Sequence, residues 1–212
     1  MTTAPIQPAP TPAGDRADAA DAAPAPAADD PGGHSPTNQP PHSPQRTPAA
    51  IDLDDRTARL TARRLAALRT HLAEALDHLR LAGELRVAIV ADDAMTRAHA
   101  EHLGDATTTD VITFDLADGA AARTRELDAD LLLCLDEAAR CADRAGRPVE
   151  HELLLYALHG VLHCTGHDDH HPADHRAMHA LEDEVLSAIG VGPVFAGERP
   201  ESPSDHRSRA TR

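Results

Sequence analysis

The chain has 212 residues, 35 acidic and 20 basic, and a formal charge of −15 at pH 7. The length allows one ordinary domain with something left over, and the longest apolar run, Leu153–Leu158, is far too short to span a bilayer. Three scattered cysteines form neither a disulfide framework nor a C-x-x-C zinc pattern, and no basic start followed by an apolar run marks a secretory signal, so a cytoplasmic protein with reduced thiols is expected. The acidity weighs against a nucleic-acid partner, because phosphate is usually met by a basic footprint. A local basic patch or a metal ion can still supply the attraction.

Residues 1–50 hold twelve of the seventeen prolines and thirteen alanines, with no aromatic residue, leucine or valine. Such a segment buries too little apolar surface to offset its ordering entropy, and it is read as a disordered tail. Residues 197–212 are read as a second, shorter one, leaving 51–196 as the domain. Residues 54–82 are predicted helical: Leu60, Leu65, Leu68, Leu72, Leu76 and Leu79 form one apolar stripe, arginines lie mainly opposite, and Gly83 closes the helix. Leu85–Ala91 is a predicted strand, and Asp92 caps a helix reaching Leu103. Asp110–Leu116 is a second strand, 117–126 a polar loop, and Leu127–Leu135 a third, buried strand. Asp136–Ala145 is a helix closed by Gly146. A further helix runs from Pro148 to about Thr165 with Gly166 just beyond it, and Pro172 opens a last helix over roughly 173–189. The expected fold class is α+β: a small mixed sheet packed with helices, and a zincin-like metal-binding helix near the C-terminus.

The informative segment is EHELLLYALHGVLHCTGHDDHH, residues 150–171. His159 and His163 are four apart on the predicted helix, so both imidazoles face the same way, one turn apart. A single buried histidine is more often a hydrogen-bonded core residue. A pair at this spacing, followed by a glycine turn and a second cluster of ligand types, points instead to one metal ion. The chain can turn at Gly166 and present a third ligand from among His167, Asp168, Asp169, His170 and His171. Two helical ligands, one loop ligand and an open position form the catalytic-zinc pattern. Glu152 lies two turns before His159 on the same face, either orienting a ligand or substrate or simply on the surface. A second pair, His175 and His179, sits in polar surroundings and is read mostly as a solvated helix face.

HGVLHCTGHD, residues 159–168, resembles the H-G-x-L-H-L-x-G-Y-D-H signature of the YbeY endoribonuclease family. Thr109–Phe114 resembles that family's P-T-D-V-L-S-F, and Asp130–Ala138 its G-D-I-x-I-S-x-E-x-A. Glu152 falls where the family has a glutamate, and Met178, Glu182, Leu186 and Gly190 echo its closing helix. The blocks occur in order across roughly 85–190. The family's third histidine falls at Asp169, and His170 follows one residue later. Its arginine ahead of the T-D-V block has no counterpart near Leu103.

The resemblance implies a single-strand-directed endoribonuclease that trims ribosomal RNA precursors and serves ribosome quality control. It would carry one zinc ion on His159, His163 and Asp169 or His170. Asp110 and Glu152 are the catalytic candidates, and Arg97, Arg147 or the arginine face of the first helix the candidates for holding RNA. The small ribosomal subunit is a possible partner; neither membrane nor DNA is expected. Two rivals stand beside this reading. A zinc peptidase places a glutamate directly after the first histidine as general base, whereas Gly160 stands there. A non-catalytic ribosome-assembly module would close the metal with four protein ligands, using both Asp169 and His170.

Overall fold

The computed structural model describes residues 47–195. Nearly all of both expected tails therefore lies outside the described residues. Ten elements follow in order: β1 (Ala50–Asp55), α1 (Ala62–His78), β2 (Ala82–Val90), α2 (Asp92–Leu103), β3 (Val111–Asp115), α3 (Ala121–Thr124), β4 (Glu126–Cys134), α4 (Leu135–Ala145), α5 (Val149–Cys164) and α6 (Pro172–Ala188).

The start of the chain departs from expectation. The helix predicted over 54–82 is a strand followed by a shorter helix. In β1, Ile51 and Leu53 are half-buried while Asp52 and Asp54 are exposed, the two-residue period of a strand. Asp55 then holds the turn, its carboxylate accepting from the amides of Thr57 (3.0 Å) and Leu60 (2.9 Å). Thr61 caps α1 by accepting from the Arg64 amide. Leu68, Leu72 and Leu76 do form the buried stripe of this helix. Gly83 lies inside β2 rather than at the helix end. Asp92 occupies the first turn of α2 but is not its cap, which is Ala91.

The sheet has four strands in the order β1-β2-β4-β3, one more than expected. β1, β2 and β4 run parallel and β3 antiparallel to β4, so the sheet is mixed and the class is α+β. One face carries Leu85, Val87, Ile89, Leu127, Ala129, Leu131 and Leu133 into a core closed by α1 and α5. On the other face, α2 covers Val90, Ile112 and Cys134 through Met95. The rest of that face is charged: Arg86 lies among Glu84, Asp128 and Asp130.

Helix α5 sits between the sheet and helices α1, α4 and α6. It is buried on nearly every side, as its leucine-rich sequence requires. Each leucine removed from water contributes about 1.5–3 kcal/mol, so its axis is fixed by packing. Gly160 permits the closest approach. A Cβ there would fall 2.6 Å from the Thr113 hydroxyl and 2.9 Å from Leu131 Cδ2. That face of the helix points at the sheet. Among the described residues, no helix is long and apolar enough to cross a membrane.

Candidate metal centre

His159 and His163 leave α5 on its one open flank and are both half-buried. Their Nε2 atoms are 3.1 Å apart. The Nδ1 atoms face outward to fixed acceptors. His159 Nδ1 lies 2.9 Å from Oε1 of Glu182 on α6, and His163 Nδ1 lies 3.1 Å from the His167 carbonyl. A carbonyl only accepts, and so does an ionised carboxylate, so each Nδ1 must carry the proton. With Nδ1 protonated on both rings, the two Nε2 atoms face each other with lone pairs. Lone pairs held that close call for a cation between them, a proton or a metal ion.

The loop supplies the third group. Helix α5 ends in a Schellman turn: the Gly166 amide donates to the His163 carbonyl (3.0 Å) and the His167 amide to Leu162 (3.1 Å). Gly166 has φ +89°, which a glycine adopts freely. The same turn presents the His167 carbonyl to His163. Beyond it, Asp168 accepts from the amides of Asp169 (2.8 Å) and His170 (3.2 Å). This sets Asp169 with its carboxylate 3.7 Å from His159 Nε2 and 3.9 Å from His163 Nε2.

The three side chains fit one divalent ion. Tetrahedral ligands about 2.0–2.1 Å from zinc lie about 3.3 Å from one another, close to the separations found here. The ligand atoms of His159, His163 and Asp169 fall within 4.8 Å of one another. His170 groups instead with Asp168 and Asp169, is 81% exposed, and turns its ring to Asp168. Three protein ligands leave coordination positions open. The electrostatics point the same way. Burial disfavours charge on His159, yet the Glu182 hydrogen bond and charge, helped by Asp169 and Asp110, raise its pKa above the ordinary value. Glu182 is fully buried, and its second oxygen has no hydrogen-bond partner among the described residues. A buried carboxylate so placed stabilises positive charge at the histidines.

The centre opens into a cleft of about 700 Å³. Five carboxylates line it: Asp110, Glu137, Glu152, Asp169 and Glu182. Glu152 is 2% exposed, so it is no surface glutamate, and it accepts from Arg147 Nε. Arg147 is the lining arginine. Glu137 is engaged by Arg140 (2.7 Å) and Arg144 (3.5 Å). Asp110 binds the Thr109 hydroxyl (3.0 Å) and the Val111 amide (2.9 Å) at the start of β3.

The structure thus brings His159, Asp169, Asp110, Glu152 and Arg147 to one cleft, with His163 beside it, its Nε2 3.1 Å from that of His159. Arg97 is not among the lining residues; it lies exposed on α2, paired with Asp93 at 3.1 Å. Its separation in space could not be read from the sequence. Glu182 appeared there only within the closing helix, without a role. The signal was present, since Met178, Glu182 and Leu186 share one helical face and all three are buried. Of the second pair, His175 is exposed as a solvated face requires, whereas His179 is half-buried, and both line the cleft.

A family model described as Endoribonuclease YbeY matches residues 50–190. Endoribonuclease YbeY of Thermobifida fusca is 37% identical over 129 residues, 58% of this chain and 83% of that protein. Endoribonuclease YbeY of Frankia alni is 34% identical over 151 residues, 67% of this chain and 83% of that protein. The solution structure of TM1509 from Thermotoga maritima aligns with 70% of this chain and 99% of its own, with a TM-score of 0.47 and 20% identity.

Proposed function

The chain belongs to the YbeY endoribonuclease family, and we propose on that footing that it is a zinc-dependent, single-strand-directed endoribonuclease. Its substrate is precursor ribosomal RNA, cut in the cytoplasm during ribosome maturation and quality control, with the small subunit as a partner. The observation that carries the metal is the facing pair of Nε2 atoms, 3.1 Å apart, each with its Nδ1 committed to an acceptor. His159, His163 and Asp169 would hold the ion, which supplies Lewis-acid stabilisation of charge developing on a phosphoryl oxygen.

The residues around the centre divide the remaining work. Glu182 and the His167 carbonyl fix the two imidazoles in the ligating tautomer. Arg147 takes a phosphate contact in place of the arginine that the family carries ahead of the T-D-V block, and buried Glu152 holds its guanidinium. Glu152 is therefore a positioning residue. Among the described residues, Asp110 is the lining carboxylate hydrogen-bonded within its own strand start and paired with no arginine, and it reaches His159 through its charge alone. It is placed to accept the proton of the attacking hydroxyl. A 2′,3′-cyclic phosphate on the product marks attack by the RNA 2′-hydroxyl, and its absence marks attack by water.

Gly160 bears on the peptidase alternative, because the position where a zincin carries its general base faces Thr113 and Leu131. The deciding experiment is metal content by mass spectrometry beside cleavage of single-stranded RNA, in the natural chain, His159→Ala and His163→Ala. About one metal per chain, lost with cleavage in both variants, supports the reading. Full metal in both variants removes it.

A further inference from the structure

Resting on the single-strand RNA reading, we infer that His175, His179 and Phe195 form a stacking shelf that takes an unpaired base of the substrate beside the metal centre. All three line the same cleft as His159 and Asp169. The rings of His179 and Phe195 are parallel within 6°, with centroids 3.7 Å apart. His175 adds a third ring, 3.9 Å from His179 and tilted by 54°.

Helix α6 puts His175, His179 and Glu182 on one face, at the spacing i, i+4, i+7. Glu182 is the support of His159, so shelf and metal centre share one rigid element. The two histidines lie about 5 and 10 Å from Glu182 along the helix axis at 1.5 Å per residue. Phe195 comes from beyond the helix and is held in place. Asp183 accepts from the amides of Val194 (2.6 Å) and Phe195 (3.0 Å), which turns the chain back over His179. A merely solvated pair of histidines would not need a phenylalanine brought back onto it. His175, at the outer end, is exposed.

Charge makes the shelf more important here. Five carboxylates and one arginine line the cleft, so phosphate attraction alone is a poor source of affinity. Aromatic faces bind any base, which suits a ligand taken as single strand.

The test uses the full, zinc-loaded chain and a short single-stranded RNA carrying 2-aminopurine. Affinity by anisotropy and base stacking by fluorescence quenching are read in the natural chain, His175→Ala, Phe195→Ala and His179→Phe. Zinc content and thermal unfolding are measured on the same samples. We expect zinc to be retained in all variants. Affinity should fall about tenfold or more, with loss of quenching, in the two alanine variants, from the usual worth of one stacked base. His179→Phe keeps the ring and should keep both signals. An RNA with an abasic nucleotide should bind the natural chain as weakly as the alanine variants bind the intact RNA. If the natural chain binds RNA and both alanine variants bind it equally well, the shelf is wrong and the RNA reading stands. If the zinc-loaded natural chain binds no single-stranded RNA, both fall.

Discussion

Replacing Glu182 separates a metal centre from an ordinary pair of core histidines. Its carboxylate is fully buried and meets His159 Nδ1 at 2.9 Å. Glu182→Gln keeps the shape and an acceptor but removes the charge that makes His159 a stronger ligand. Glu182→Ala removes the acceptor too and frees the ring to turn. Losing such a partner typically weakens metal affinity by about 10–100-fold, so glutamine is expected near the lower figure and alanine near the upper. A tenfold loss removes about 1.4 kcal/mol of metal-linked stability at saturating zinc. At about 2–4 °C per kcal/mol for a domain of this size, the gap in Tm between zinc-loaded and chelated protein should narrow by about 3–6 °C. Competition with a chromophoric zinc chelator gives the affinity, and thermal unfolding with and without chelator gives the gap. If both variants hold zinc within about twofold of the natural chain, against the usual loss on removing such a partner, Glu182 does not support a ligand and the assignment fails.

Three further outcomes are expected. Asp169→Asn should lower zinc affinity while His170→Ala leaves it unchanged, because His170 is turned to Asp168; the reverse pattern in the chelator competition assigns the loop ligand to His170. Gly160→Ala should destabilise by about 1–3 kcal/mol through overpacking against Thr113 and Leu131, partly offset by about 1 kcal/mol of helix propensity; a rise in denaturation midpoint would mean α5 does not sit this close to the sheet. Asp92 is held by its hydrogen bonds to Arg140 at a pKa of about 2, below the ordinary 3.8. Its contribution is therefore present above about pH 4 and lost as pH falls toward 2, and with a side chain 41% exposed it amounts to about 1 kcal/mol or less. The stability difference between the natural chain and Asp92→Asn should accordingly appear at pH 6 and vanish near pH 2; a difference that grows with acid contradicts it.

What could be read from the sequence was local. His159 and His163 declare themselves because four-residue spacing on a helix fixes their direction without knowledge of the fold. Their flanking leucines predicted burial, and α5 is buried nearly all round. The sequence narrows the proposed loop ligand to Asp169 or His170; what favours Asp169 is what each touches, since Asp168 draws His170 away. β1 was missed because its two apolar residues, Ile51 and Leu53, precede the leucine stripe of α1 closely enough for Leu60 to join the two. Glu182 and Arg97 show the other limit. One is brought to His159 from 23 residues away, and the other is kept from the cleft by the path of α2. Neither fact has a local signature, since both depend on how helices settle on the sheet.

The proposed ligands come from two kinds of structure, and this has a consequence for how such a site changes over generations. His159 and His163 belong to a helix locked into the core, so exchanging either disturbs both packing and metal. Asp169 sits on a short exposed loop beyond the Schellman turn, held by backbone amides to Asp168. A different donor can be tried there without repacking anything. Where the family signature has histidine, this chain has aspartate, and the core helix need not have moved to accommodate it. Drift in metal preference between related chains should therefore be sought at the loop position, with the helical pair left as it is.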